Sequence, residues 1–389
     1  MLNRKILRAK AMQHVYAYKQ CQRSNYELAF QHVHDAFEPD LNSMEVQDRS
    51  KLAEEREITV QLLKDHFEGK PLSTADEKFR KIAGEAIQRY ENQCRKDQEF
   101  LLNQMLASTE RIADHYRLLL LLLVELAEES HRDQGKKLTY SVALLSNEKV
   151  SHNFYTNRVI QAIRDSERLR QEAEAHKLNW NNQRAEIRQW YKNLLKPNEE
   201  FQAYQAKESS SLKDDVAITR YVFNQILLKS EPVINVFEEN DINWAENSKS
   251  IKSMVNKSLK SVTEENDELE IVDLTPNWEE DRDFLIDLYK LTIRNDQEYE
   301  QLISEKAKNW ALDRIATLDS IIIKMAIAEM IQFSSIPVKV TINEYIDISK
   351  NYSTHKSKQF VNGMLDVIAQ DLQNRNLIRK SGRGLIDNQ

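Results

Sequence analysis

Arg4, Lys5 and Arg8 open the chain, and Arg4 and Arg8 stand four positions apart. On a helix that spacing puts both guanidinium groups on one face. There they can pair with phosphates or read a guanine edge in single-stranded RNA. A second constellation lies near the other end, where Lys356, Lys358 and Phe360 follow one another closely. A helix starting near Gln359 would aim its N-terminal amides at the same space, and helix N-termini favour phosphate. Tyr16 and Tyr18 offer rings on which bases can stack. Asn362 precedes Gly363 inside a helical pattern. Glycine there costs about 1 kcal/mol relative to alanine, which close approach of another helix or of RNA would explain.

Each residue also has a plainer reading. Arg4, Lys5 and Arg8 could solvate a helix start, and the tyrosines and Phe360 could be core. Catalytic patterns are missing. The six glycines are scattered and form no phosphate-cradling loop, no H-E-x-x-H occurs, and no Ser or Cys sits in a recognisable elbow. His32 and His34 are two apart and point to different sides of a helix, so no metal site is expected. Glu279, Glu280 and Asp281 suit a helix start, where the dipole favours negative charge. The expectation is a non-enzyme with no cofactor.

The C-terminal stretch 310–366 must position the second constellation. Ile315, Leu318, Ile322, Met325 and Ile327 make one helical face, and Ser334, Ser335 and Pro337 stop it. Thr341 is the expected N-cap of the next helix, which carries Ile342, Tyr345, Ile346 and Ser349. A basic loop then leads to a third helix with Phe360, Met364 and Ile368 one turn apart. The segments IPVKVTINEYIDISK and QFVNGMLD closely resemble the bacterial transcription antitermination factor NusB family. The first helix, Asn3 to Tyr18, is similar to that family's arginine-rich opening helix.

The resemblance covers roughly residues 1–22 and 281–375, and residues 27–280 have no counterpart in short members. An enlarged form characteristic of the Bacteroidota resembles this chain. The resemblance implies binding of boxA-type single-stranded RNA together with NusE, a ribosomal small-subunit protein, within the RNA polymerase antitermination complex. It also implies that Arg4, Lys5, Arg8, Tyr16, Tyr18, Lys356, Lys358, Phe360 and Asn362 face RNA. The loop Ser353 to Gln359 is more basic than in many members. The alternative is a helical protein-interaction scaffold with weak or lost RNA binding. An RNA-modifying enzyme carrying this domain would need a cofactor-binding α/β domain, and none follows.

Composition supports an all-α chain: 389 residues hold only 6 Gly and 6 Pro, and alternating strand patterns are nearly absent. The expected domains are a basic helix at 1–26, a helical extension at 27–150, two degenerate repeats at 151–280, a C-terminal helical region at 281–376 and a basic tail at 377–389. Within the extension, a break is expected near Arg23, one or two long helices over 79–129, and a linker at 141–151. Residues 1–26 sum to +6 and 349–383 to +5, leaving −17 on 27–348. An acidic body with two basic ends binds a phosphate backbone if the ends meet. The first 20 residues are basic and polar, so no export signal is expected. The apolar run Leu118 to Val124 is far short of the roughly 20 residues that span a bilayer. Cys21 and Cys94 have no ligand spacing, which fits free thiols in a reducing cytoplasm.

The middle contains a repeat pattern. Trp180, Trp244 and Trp310 lie 64 and 66 residues apart. Phe154, Ile218 and Phe284 precede them by one common offset. Val159, Phe223 and Tyr289, then Ile163, Leu227 and Ile293, then Leu169, Val233 and Tyr299 do so by others. The pattern predicts three similar helical units, the third continuous with the NusB-like region.

Overall fold

The computed structural model describes residues 2–40, 47–74, 76–144, 153–307, 315–354 and 356–388. Among them every regular element is helical. The chain forms two compact units, one of residues 1–3 and 106–281, the other of 4–105 and 282–389.

The second unit holds α1 (Arg4–Ala36), α2 (Arg49–Phe67) and the first part of α3 (Glu77–Leu144). It continues through all but the first turn of α11 (Trp278–Arg294), then α12 (Asp296–Lys306), α13 (Thr317–Gln332), α14 (Val338–Tyr352) and α15 (Ser357–Asn374). The expected break near Arg23 does not occur, and α1 runs on unbroken. No Gly or Pro interrupts it, Arg23 pairs with Glu27 one turn on, and Asn25 is buried, donating to Asp97 at 2.7 Å. Ala29, Val33 and Phe37 then join Val60, Leu63, Phe79 and Ala86 in a core shared by α1, α2 and α3.

Helix α13 is the centre of the C-terminal part. Every residue from Ile321 to Met330 is buried, because α1, α12, α14 and α15 surround it. Its buried charges are all paired. Lys324 meets Asp296 and Glu300, Asp319 accepts from Ser353, and Glu329 meets Arg8. Pro337, not Thr341, precedes α14; Thr341 lies a turn inside and donates its hydroxyl to Glu329 at 2.8 Å. The tail is fixed to the α13–α14 turn. Lys380 donates to the Phe333 carbonyl, Ser381 contacts Ser334, and a Cβ at Gly384 would collide with the Ser334 carbonyl.

The first unit holds the rest of α3, followed by α4 (Arg158–Asp165), α5 (Glu167–Ala175), α6 (Arg184–Trp190) and α7 (Glu199–Gln205). Then come α8 (Leu212–Tyr221), α9 (Glu231–Asn240) and α10 (Trp244–Ser261). The span expected as one or two helices is the single helix α3, and 141–144, assigned to a linker, are helical; 145–152 lie outside the described residues. Leu119, Leu120, Leu122 and Leu123 are fully buried, so the apolar run is core. Ser211 caps α8 through a reciprocal pairing with Asp214.

Element starts recur at the tryptophan offsets. Helix α5 begins at Glu167 and α9 at Glu231; α8 begins at Leu212 and α11 at Trp278. Phe154, Ile218 and Phe284 are all buried, as are Val159, Phe223 and Tyr289, and Leu169, Val233 and Tyr299. Ile293 is half-buried where Ile163 and Leu227 are buried. Trp180 meets Phe237 edge-on and Trp244 stacks on it at 4.5 Å. Trp310 lies outside the described residues.

Candidate nucleic-acid interface

Sequence spacing places Arg4 and Arg8 on one face of α1, and the structure turns that face inward. The two guanidinium groups lie over the Phe284 ring, 5.0 and 5.5 Å from its centroid. Arg8 is only 3% exposed and grips Glu329 with two bonds of 2.7 and 2.8 Å. Glu329 also accepts from Thr341 and from Tyr345 at 3.3 Å. A bidentate, charge-assisted pair that is already desolvated has no reach to a phosphate. Arg8 therefore fastens α1 to α13 and is corrected from a candidate RNA contact to a structural residue.

Lys5 points the other way. Its ammonium is 2.7 Å from Asp347 on α14, and both side chains are well exposed. The Asp347 carboxyl is held below the usual carboxylate range, first by the Lys5 hydrogen bond and then by the charges of Lys5, Lys350 and Lys358. Lysines of α1, α14 and α15 thus act on one carboxylate, with Lys5 alone in contact with it. The Lys5–Asp347 pair brings the start of α1 against α14, whose last turn carries Lys350.

The turn before α15 is held in place by hydroxyls. Ser353 donates to Asp319 at 2.7 Å, and Ser357 lies within 2.9 Å of both Ser353 and Thr354. This fixes Lys356, the residue preceding α15, and Lys358, both exposed. His355 lies outside the described residues. Phe360 is half-buried, while Met364 and Ile368 behind it are core. Asn362 is exposed, with one long 3.4 Å contact to Asp366. A Cβ at Gly363 would meet nothing within 4 Å, so close helix packing does not account for that glycine.

The two tyrosines separate, because residues two apart on a helix point about 200° apart. Tyr16 is 41% exposed and lies on the Lys5 side of α1, three turns on. Tyr18 is buried, and burial, reinforced by Cys94 and Tyr90, pushes its phenol well above its ordinary value. Tyr18 is a core residue, a correction to its candidate role. The surface set is Lys5, Tyr16, Lys350, Lys356, Lys358 and Asn362, with Arg4 and Phe360 at its edge. Lys350 was missed as a site residue. Its signal was the adjoining Asp347, one turn from it on α14 and the partner of Lys5.

The NusB family model matches residues 240–370. This region belongs to the NusB family. The transcription antitermination protein NusB of Chloroherpeton thalassium is 42% identical over 106 residues, covering 27% of this chain and 50% of that one. That of Salinibacter ruber is 41% identical over 105 residues, 27% of this chain and 66% of that one. That of Koribacter versatilis is 38% identical over 94 residues, covering 24% and 64%. This chain thus spans half to two thirds of the length of the curated NusB proteins it matches. It is also similar to the solved T. maritima NusB at 32% identity, covering 29% of this chain and 75% of that one, with a TM-score of 0.24. Alpha-helical NusB structure is continued here by a long helical extension. Among the described residues, no helix is long and apolar enough to cross a membrane. No group of three or more His, Cys, Asp or Glu among them is placed to hold a metal.

Proposed function

We propose that the chain is a non-enzymatic, cytoplasmic RNA-binding antitermination factor. It binds boxA-type single-stranded RNA of ribosomal RNA transcripts together with NusE and acts within the RNA polymerase antitermination complex. The observation that carries this reading is the exposed Lys5–Asp347 pair, which joins the basic first helix to α14 beside the charges of Lys350 and Lys358, within a unit whose C-terminal helices are NusB. Lysines on rigid helices position a phosphate backbone, and the exposed Tyr16 ring offers a stacking platform. Specificity arises on the joint surface with NusE. Residues 151–212 and 215–275 are degenerate copies of the helical unit at roughly 281–325, and the shared element starts support that descent.

Filter binding with boxA RNA and a scrambled RNA, with and without NusE, tests the reading. The expected result is a preference for boxA that NusE strengthens. Equal retention of both RNAs under both conditions would reject it.

A further inference from the structure

The acidic middle of the chain contains one helix of opposite character. Residues 244–262 hold Lys249, Lys252, Lys257 and Lys260 against a single acid, Glu246. On α10 the buried face carries Ile251, Met254, Val255 and Leu259. At 100° per residue, Lys249, Lys252, Asn256 and Lys260 fall within one narrow arc on the opposite, outward side. The stripe is about 16 Å long at 1.5 Å per residue.

Partners separate this stripe from an ordinary solvated face. Lys257, beside it, is paired with Glu270 at 3.2 Å. Lys249, Lys252 and Lys260 are exposed and, among the described residues, form no ion pair. Arg220 of α8 comes up against the same stripe, yet its partner is the neutral Asn256 amide at 3.1 Å. Asn224 and Asn256 are tied by reciprocal bonds of 2.9 and 3.0 Å, and Asn256 also donates to the Lys252 carbonyl. The middle of the chain abounds in carboxylates, yet four cations here are left without one around a fixed amide pair.

We infer that α10, with Arg220, is a second RNA-backbone surface, lying at the start of the family-matched stretch and distinct from the Lys5 cluster. Charge complementarity selects a polyanion. The apolar side of α10 is buried, so the helix offers a membrane no face to insert. Lysines at helical spacing fit successive phosphates without reading bases. The choice of RNA as the polyanion rests on the proposed function above.

The test uses the full chain carrying Lys249→Gln, Lys252→Gln and Lys260→Gln. It is titrated against short boxA RNA, extended RNA containing boxA, and extended RNA of unrelated sequence, over a range of salt. The inference expects unchanged affinity for the short RNA. For both extended RNAs it expects roughly tenfold weaker binding and a salt slope reduced by about 2, as three lost single-strand phosphate contacts require. Replacing the same lysines with arginine restores both, and Lys257→Gln changes neither. An unchanged slope on extended RNA overturns the inference and leaves the proposed function standing. An equal loss on the short RNA overturns it too, because the stripe would then be part of the first site. If the intact chain shows no boxA preference but the stripe still sets the slope, the proposed function fails and the inference stands. No binding of any of these RNAs removes both.

Discussion

Arg8→Ala separates a structural arginine from an RNA-binding one. The change deletes two charge-assisted bonds to Glu329, at 2.7 and 2.8 Å, in a site closed to solvent. Breaking a buried pair by removing one partner costs about 3–5 kcal/mol, because the other charge stays behind. Thr341 and Tyr345 still donate to Glu329, so the loss settles at the lower end, about 3 kcal/mol. Urea unfolding followed by circular dichroism measures it, and thermal unfolding is expected to show a fall in Tm of roughly 10 °C for a unit of this size. Arg8→Met combined with Glu329→Gln removes the stranded charge, keeps an acceptor for both hydroxyls, and recovers most of the stability. That folded double variant keeps the parental salt dependence of RNA binding. An Arg8→Ala loss below about 1 kcal/mol, typical of a surface side chain, would refute the reasoning.

Two further outcomes follow from the structure. Gly363→Ala gains about 0.5–1 kcal/mol in thermal unfolding, since the site is helical, exposed and open, and a loss of stability would contradict that geometry. Burial beside Phe237 and Trp244 holds the His115 imidazole below its ordinary value despite Asp241. The unfolded chain therefore takes the proton first, and stability falls as pH drops below about 6.5. His115→Leu flattens that fall in urea midpoints; an unchanged pH dependence would count against a buried neutral imidazole.

The fold class was legible because the punctuation is clean. Ser334 to Pro337 end α13, and the scarcity of Gly and Pro leaves long helices elsewhere. Local spacing could not say which face of α1 is buried. Arg4 and Arg8 share a face on any helix, but only the fold brings Glu329 to Arg8 from 321 positions away. The same holds for Thr341, a plausible cap by type that tertiary contact with Glu329 turned into a helix-interior hydroxyl. Tyr16 and Tyr18 looked equivalent as residues; the roughly 200° between them on α1 and the neighbouring α3 made one surface and one core. At the Lys5 cluster the sequence showed two basic ends, and the Lys5–Asp347 pair brings the first of them against α14.

The central claim is that the lysines around Asp347 hold RNA. It is tested most directly by measuring boxA RNA affinity against salt for the full chain and for its Lys5→Gln, Lys350→Gln, Lys358→Gln variant. The account predicts a folded variant with weaker binding and a slope of log affinity against log salt reduced by about 2. The parental slope and affinity in that folded variant would contradict it.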